Sequence, residues 1–399
     1  MSVGQPEFWR PRSRLIMTLL RLDPSESGCA IRGCESERAP AIASLFGRRA
    51  KRRILMVCSL YAMPYRVMRC IAASDANVYV LGGPGSTGLR HSQYCKAFVS
   101  STRPNMGERD EAFADEINHC VRDFGIDMVV PAGAAATRAL IANRDIIEAP
   151  CFPLPTLEQF DFLNDKWKFT QLCISLDIAC PKSTRFAGRA ELMQSLEDGT
   201  LRFPAIAKPL GQDGGHGVLK LQSDDARSQI EKIDYHPIIL QEFIEGEDIG
   251  ASVYCERGEI RSFIAHSLKD GIYRTFLDRR IVDAISRIVG PLRADGVYNF
   301  DMRLTPNNEI YYLECNPRLY FKIALSMAAG INFVHLGVDP SAGVPASLPH
   351  GTQVRRPWAL ALSLCKPWTI TWLDIALFLS LLKDPVSYLR ESLRIDWDY

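Results

Sequence analysis

Hydrophobic positions fall into recurring short runs from Arg53 onward. Ile54-Leu55-Met56-Val57-Cys58 is a continuous apolar run between Arg53 and Ser59, the pattern of a strand buried on both faces. Pro64 opens a stretch, 64–73, with Val67, Met68 and Ile71 on one helical face, and Asn77 to Leu81 reads as the next strand. Glu108 to Phe124 reads as helical, Asp127 to Val130 as extended, and Ala134 to Ala142 as helical again. This alternation predicts a small open α/β domain over 53–150. From Cys151 the pattern passes through Pro153 and Pro155 into a helix carrying Lys166, and then to Pro181. Residues 201–340 alternate strands with turns, which predicts an α+β region of antiparallel strands within a second domain, 151–340. Residues 341–399 are expected to form a C-terminal helical tail. Trp368 to Leu382 is largely apolar, but its fifteen residues include Asp374 and fall short of the roughly twenty that span a bilayer. Within it Trp368, Trp372, Ile375, Leu379 and Leu382 recur at helical spacing, followed by Lys383, Arg390 and Arg394. That stripe is expected to pack on the protein's own core, with an interfacial membrane helix or a dimer surface as the alternatives.

Composition changes this picture little. With 47% hydrophobic and 23% charged residues and a net charge of +1, the chain reads as a soluble globular protein with no bias toward nucleic acid. The twelve cysteines are scattered singly, without C-x-x-C pairs, and are expected to be reduced thiols in a cytoplasmic protein. Residues 1–52, rich in arginine (Arg10, Arg12, Arg14, Arg21, Arg48, Arg49), read as a poorly ordered basic extension. The apolar stretch Leu15 to Leu20 is too short for a signal peptide. A homodimer is compatible with the sequence, which leaves the oligomeric state open. Gly83-Pro84-Gly85-Ser86-Thr87-Gly88 spells G-x-G-x-x-G, yet it follows the second strand and holds a proline inside the turn. It reads as a glycine-rich loop rather than a dinucleotide fingerprint.

The most informative segment runs from Asn299 to Arg318. Asn299 to Leu304 and Ile310 to Asn316 read as the strands of a hairpin, with Pro306-Asn307-Asn308-Glu309 as its turn and Pro317 as its end. Pairing Thr305 with Ile310 sets Asp301 opposite Glu314. Period two then puts Asp301, Arg303, Tyr312, Glu314 and Asn316 on one face, and Phe300, Met302, Leu313 and Cys315 on the other. Two carboxylates directly opposite, roughly 5 Å apart at Cβ, repel unless a cation lies between them. Asp301, Glu314 and the Asn316 amide oxygen are ligands of the kind Mg²⁺ accepts, too few for a full cage, so phosphate oxygens and water would complete the shell. The competing reading is a surface ladder in which Arg303 and Arg318 neutralise the carboxylates.

Two further segments carry chemistry. Ala205-Ile206-Ala207-Lys208 is a strand ending in lysine, followed by Gly211, Gly214, Gly215 and Gly217, a loop able to lay backbone N–H groups against phosphates. It is not a Walker loop, because no G-K-[S/T] follows. Ile238-Ile239-Leu240-Gln241-Glu242-Phe243-Ile244 is a buried strand running into a polar bend that ends at Asp248. Its backbone could meet an adenine edge and its Asp248 a ribose, although an edge strand with a solvated acidic turn would look alike.

In this order, Lys166, Lys208, the glycine loop, the 241–248 bend and the Asp301/Glu314/Asn316 triplet resemble the ATP-grasp superfamily over 53 to about 340. Asn316 to Phe333 most resembles its carbamoyl-phosphate-synthetase-like branch of carboxylate-amine ligases. The resemblance implies an α/β pre-ATP-grasp domain followed by an α+β ATP-grasp fold whose two subdomains clasp ATP. It implies that Lys166 and Lys208 contact phosphates, that residues 211–217, with Gly211, Gly214, Gly215 and Gly217, form a lid, and that Gln241, Glu242, Phe243, Ile244 and Leu313 meet adenine. Asp248 would hold the ribose, Asp301, Glu314 and Asn316 would bind Mg²⁺ or Mn²⁺, and Arg318, with Arg303 as a second cation, would sit at the transferred phosphoryl group. The implied activity is phosphorylation of a small-molecule carboxylate by ATP and its coupling to an amine or similar nucleophile. A kinase-type phosphotransferase and a non-catalytic ATP-binding module are the rival outcomes.

Overall fold

The apolar run after Arg53 forms β1 (Arg53–Cys58), in which Ile54 to Cys58 are all fully buried. The computed structural model describes residues 51–394 apart from 104–108, 212–213, 340, 342, 344–349, 357–358, 361–362 and 364–366. The expected basic extension lies outside the described residues except at Lys51 and Arg52. After β1 come α1 (Ala62–Ala72), β2 (Asn77–Gly82), β3 (Cys95–Ser100), α2 (Glu111–Phe124), β4 (Met128–Ala132) and α3 (Ala134–Asn143). The strands form a parallel sheet in the order β3-β2-β1-β4. Helix α2 starts at Glu111 because Asp110 caps it, accepting hydrogen bonds from the N–H groups of Ala112 and Phe113. Gly125, at φ 59°, ends it. Pro84 to Gly88 lie in a 3₁₀ turn, Pro84–His91, preceded by Gly83, whose carbonyl accepts a hydrogen bond from the Ser86 hydroxyl (2.7 Å). A Cβ on Gly85 would come within 2.7 Å of the Ser59 carbonyl oxygen, so close packing accounts for glycine there.

Helices α4 (Leu157–Leu163) and α5 (Lys166–Ser175) lead out of this layer, the first started by a Thr156/Gln159 capping box and the second by Asp165. Next come β5 (Ser183–Phe186), α6 (Arg189–Glu197), β6 (Ala205–Pro209), β7 (Leu219–Leu221), α7 (Ala226–Glu231) and β8 (Ile238–Glu242). Their strands make a small antiparallel sheet, β5-β8-β6-β7, with a core of its own built from Phe186, Leu192, Ala207, Leu221, Ile230 and Ile238. The third sheet is the largest. It uses β9 (Glu247–Glu256), β10 (Glu259–Lys269) and β11 (Ile272–Phe276), then α8 (Arg279–Val289), β12 (Gly296–Leu304) and β13 (Ile310–Asn316). Helices α9 (Ile323–Ala328) and α10 (Phe333–Val338) precede its last strand, β14 (Gln353–Arg355). The order is β13-β12-β9-β10-β11-β14, antiparallel throughout. β14 is a correction, since it falls in the stretch expected to be helical. The first and third sheets share one continuous core, in which Tyr65 and Val67 of α1 join Tyr273, Ile323 and Phe333. The second sheet therefore stands as a separate lobe with its own hydrophobic centre.

The C-terminal segment forms a short 3₁₀ turn, Pro367–Thr369, then α11 (Trp372–Leu382) and α12 (Pro385–Arg394). Its attachment differs from expectation. The residues of α11 turned inward are Asp374, Leu377 and Leu381, while Trp368, Trp372, Ile375, Leu379 and Leu382 are exposed. Polar contacts fasten the segment: Arg66 Nε donates to Glu391 Oε1 at 2.6 Å, Tyr61 Oη to the Ser387 carbonyl at 3.0 Å, and Arg355 to Asp374 at 2.7 Å. Because the stripe expected to pack inward lies opposite these fastenings, it is not the helix's core face. Among the described residues no helix is long and apolar enough to cross a membrane.

The buried Arg66–Glu391 pair makes the docking of α12 measurable. Removing one partner of a buried pair leaves the other charge uncompensated and costs roughly 3–5 kcal/mol. Arg66 keeps a second bond to the Phe321 carbonyl (2.7 Å) and its stack on the Phe321 ring. Glu391→Ala is therefore expected to lower unfolding stability by about 2–4 kcal/mol in urea titration. A loss below about 0.5 kcal/mol, the range of ordinary surface substitutions, would mean that the pair does not anchor the helix.

Candidate active site

Strands β12 and β13 carry the carboxylates, and their register puts Asp301 opposite Glu314. The ladder is not continuous. Leu304, not Thr305, pairs with Ile310, and the register slips by one between Asp301/Glu314 and Met302/Tyr312, leaving Leu313 as an extra residue in a β-bulge. The bulge corrects one expectation. Tyr312 lies opposite Met302 on the core face, buried against the Phe300 ring at 6.4 Å between centroids, and not beside Glu314. Asp301, Glu314 and Asn316 remain together. Burial first, and the Glu314 charge second, push the Asp301 carboxyl up from its ordinary 3.8 to about 6. Burial also acts to raise Glu314, but Lys166, Lys208, the Asn316 amide and Arg318 outweigh it and hold that carboxyl below its usual value. The two acids are thus pushed apart in acidity, as like charges forced together must be.

The balancing cations come from two other elements. Lys166 opens α5, with Nζ 3.4 Å from Glu314 Oε2, and the adjacent Asp165 carboxylate caps the helix through the N–H groups of Trp167 and Lys168. Lys208 comes from β6 of the separate lobe. Both lysines are buried, and burial lowers the Lys208 pKa, with Glu314 opposing the shift and Lys166 adding to it. The Lys166 backbone N–H also bonds the Leu210 carbonyl (3.1 Å), which ties α5 to the start of the glycine loop. Asn316 Nδ2 donates to Asp301 Oδ2 (3.0 Å) and Glu314 Oε1 (3.4 Å), while its Oδ1 accepts from Arg318 (2.6 Å). Asn316 thus presents nitrogen, not oxygen, to the carboxylates. Serving a cation requires the amide to turn over.

In the loop after Lys208, Gly211, Gly214, Gly215 and Gly217 are all exposed, and the last three sit at φ of 71°, 75° and 71°, which favours glycine. Tyr235 Oη holds one end by donating to the Gly217 carbonyl (2.6 Å). At the 241–248 bend, Gln241 is buried and donates to Ser183 Oγ (3.0 Å), while its Oε1 has no partner among the described residues. The N–H groups of Glu242 and Phe243 are already bonded, to the carbonyls of Lys182 (2.9 Å) and Pro204 (3.2 Å). Gly246 packs on the Leu304 carbonyl so closely that any Cβ would collide with it. Asp248 is exposed and pairs with Arg303 at 3.0 Å, and Arg303 also donates to the Gly246 carbonyl (3.1 Å). Arg303 therefore ties the hairpin to the bend, and its charge also acts on Lys208. The triplet, both lysines, Arg318 and the loop's start converge, whereas a cleft of about 540 Å³ lined by Arg144, Phe152, Pro153 and Asp295 contains none of them.

Two family models match the sequence: a RimK-like ATP-grasp domain over residues 163–286, and an ATP-grasp of the biosynthetic pathway with the Ter operon over 234–358. Residues 163–358 thus match ATP-grasp domains. Solved structures agree on the fold. An L-amino acid ligase from Bacillus licheniformis superposes with a TM-score of 0.54 at 16% identity, covering 73% of this chain and 74% of that one. The biotin carboxylase of Campylobacter jejuni, complexed with a β,γ-ATP, gives 0.54 at 15%, covering 71% and 70%. The biotin carboxylase domain of Hydrogenobacter thermophilus 2-oxoglutarate carboxylase, solved with MgADP, ADP and bicarbonate, gives 0.56 at 11%, covering 75% and 72%. No curated protein matches the sequence.

Behind the ATP-grasp triplet lies a buried polar chain that the sequence reading missed. Asn299 Nδ2 donates to Asp301 Oδ1 (3.3 Å) and Ser252 Oγ to Asn299 Oδ1 (3.0 Å), while the Ser252 hydroxyl tempers the pKa of the Tyr320 hydroxyl, which burial raises. Tyr320 then shares Ser326 Oγ (2.6 Å) with Tyr273 (2.7 Å). Such a network fixes the Asp301 carboxylate from below. Period two marks Asn299 as a neighbour of Asp301, but nothing in the sequence links Ser252, Tyr320 and Ser326. The donor set fits a divalent cation: two half-buried carboxylates and an amide, all oxygen ligands in kind, with the Asp301 carboxyl pushed above its ordinary pKa for want of positive charge.

That imbalance predicts a pH signature without divalent metal. Asp301 holds its proton in the folded protein up to about pH 6 but only to about 3.8 when unfolded. Between those values the native state binds more protons, so the Asp301 contribution falls as pH rises through that window. Glu314 has the opposite sign, and its contribution is lost as pH falls. Asp301→Asn is therefore expected to match wild-type stability near pH 4 and to exceed it at pH 7, by an amount on the order of 1–3 kcal/mol. A variant less stable than wild type at pH 7 in EDTA would contradict the assigned repulsion.

Proposed function

We propose that the chain is an ATP-dependent ligase that phosphorylates a carboxylate and passes the acyl group to an amine or similar nucleophile. One observation carries the reading: Asp301 and Glu314 face each other while buried lysines from α5 and from the separate lobe close on them. The clasp offers a seat for each part of the nucleotide. At the bend, the Ile244 N–H and the Glu242 carbonyl would meet the adenine edge, together with Gln241 and the bulged Leu313. Asp248 takes the ribose hydroxyls, steadied by Arg303. Lys166, Lys208 and the N–H groups of the glycine loop take the phosphates, and Asp301, Glu314 and the turned amide of Asn316 hold Mg²⁺. When bound, Mg²⁺ supplies positive charge that screens the phosphate oxygens from an incoming anion.

The protein residues then position and neutralise. A substrate carboxylate held by Arg318 attacks the γ-phosphorus, the bond to the β-phosphate oxygen breaks, and ADP leaves. Lys208 and Lys166 stabilise charge on the transferred oxygens, a task needing no covalent group from the protein. The nucleophile next attacks the acyl carbon, the C–O bond to the phosphoryl group breaks with its electron pair leaving on inorganic phosphate, and the proton lost by the nucleophile passes to that phosphate or to water. Likeness to an L-amino acid ligase and to biotin carboxylases supports carboxylate chemistry of this kind.

The test is interception of the activated carboxylate. With Mg·ATP and a carboxylate panel, the reading predicts ADP release and, with hydroxylamine present, a hydroxamate. A phosphate ester without hydroxamate would instead indicate a kinase, and nucleotide binding without ADP release a binding module. Lys208→Ala is expected to lower kcat by roughly a hundredfold or more while ATP affinity falls far less, since its charge acts mainly on the transition state. Severe loss of ATP binding at unchanged kcat would contradict that role.

A further inference from the structure

Helix α11 is apolar nearly all round, and a helix of that composition is stable when covered on every side. The described residues cover one side only. Trp372 is 77% exposed, Leu379 52% and Leu382 54%, opposite the inward Asp374, Leu377 and Leu381. Trp368, on the preceding turn, is 78% exposed, and Val386 (65%) and Leu389 (59%) continue the surface onto α12. A contiguous apolar face of this kind marks an interaction surface.

The charges indicate what covers it. Every acidic side chain described on this segment is turned inward: Asp374 onto Arg355, Asp384 onto Ser92, and Glu391 onto Arg66. The charges left at the surface are Lys383 and Arg390, with Arg90 on the 3₁₀ turn that α12 packs against. A second copy meeting this face about a two-fold axis would bring these cations against each other with no acid among the described residues of the segment to receive them. An anionic surface meets both the apolar and the cationic groups.

We propose that α11 and α12 dock the protein on the surface of an anionic lipid bilayer. Trp368 and Trp372 sit at the boundary between headgroups and acyl chains, where amphipathic indoles are favoured, and Lys383 and Arg390 meet lipid phosphates. The segment lies on the membrane rather than crossing it. At 11 residues α11 is about 16 Å long, roughly half the hydrocarbon thickness. Docking stands independently of the ligase reading, because none of these residues belongs to the clasp.

The experiment is co-sedimentation of the full chain with vesicles of phosphatidylcholine alone and of phosphatidylcholine mixed with phosphatidylglycerol. Wild type is expected to sediment with the mixed vesicles and far less with the neutral ones. Trp368→Ser combined with Trp372→Ser should reduce partitioning roughly tenfold or more, and Lys383→Glu should reduce it by a similar factor on the anionic vesicles alone. Both variants change exposed side chains, so both should keep the wild-type melting temperature. Wild type left in the supernatant of both vesicles, or unchanged sedimentation of the tryptophan variant, overturns the proposal. Equal binding to neutral and anionic vesicles overturns the anionic assignment. A concentration-dependent dimer that the tryptophan variant abolishes, without vesicle binding, assigns the face to a second copy instead.

Discussion

Repulsion between Asp301 and Glu314 is the constraint around which the rest of the site is arranged. Two carboxylates set opposite each other on neighbouring strands cannot both ionise cheaply once they are partly withdrawn from solvent. The surroundings answer with positive charge and hydrogen bonds from every side: Lys166 from the start of α5, Lys208 from β6, the Asn316 amide across the pair and Asn299 beneath Asp301. These relieve Glu314 more than Asp301. The remaining deficit of positive charge at Asp301 is what a divalent cation would supply, so binding and catalysis draw on the same electrostatic imbalance.

The cations reach the pair from separate bodies. Lys208 belongs to a sheet with its own hydrophobic core, while the carboxylates belong to a sheet that shares its core with the N-terminal layer. Between them runs the 241–248 bend, where Gly246 presses on the Leu304 carbonyl and Arg303 joins Asp248 across β9 and β12. A site divided between two cores can open and close on a nucleotide by shifting one body against the other, without disturbing either interior. On the carboxylate side Ser252 bonds Asn299 beneath Asp301, and Tyr320 and Tyr273 share the Ser326 hydroxyl.

The layers were legible because short buried strands and amphipathic helices leave distinct periods, and the Asp301–Glu314 pairing because a turn and an alternation of two suffice to set it. Tyr312 was misplaced for a physical reason. A bulge at Leu313 shifts one strand by a residue, and an extra residue in a ladder leaves no mark in the period. The resemblance implies Arg303 as a second cation at the phosphoryl group, and its ion pair with Asp248, on a strand more than fifty residues earlier, left no mark in the sequence. On α11 the apolar residues go nearly all round, so periodicity could not tell which face turns inward. Asp374, the one acid in the run, marked the inward side through Arg355.

Metal binding tests the central claim most directly, since it reads the carboxylate pair without any knowledge of the substrate. Free Mn²⁺ can be followed by its electron paramagnetic resonance signal while ADP is added to wild type and to Glu314→Gln. Two carboxylates and an amide are too few ligands for a complete shell, so wild type should take up Mn²⁺ far more tightly with ADP than without. Glu314→Gln should weaken that uptake roughly tenfold or more. Equal Mn²⁺ affinity in the two proteins, or uptake indifferent to ADP, would contradict the assignment of Asp301 and Glu314 as a nucleotide-linked cation site.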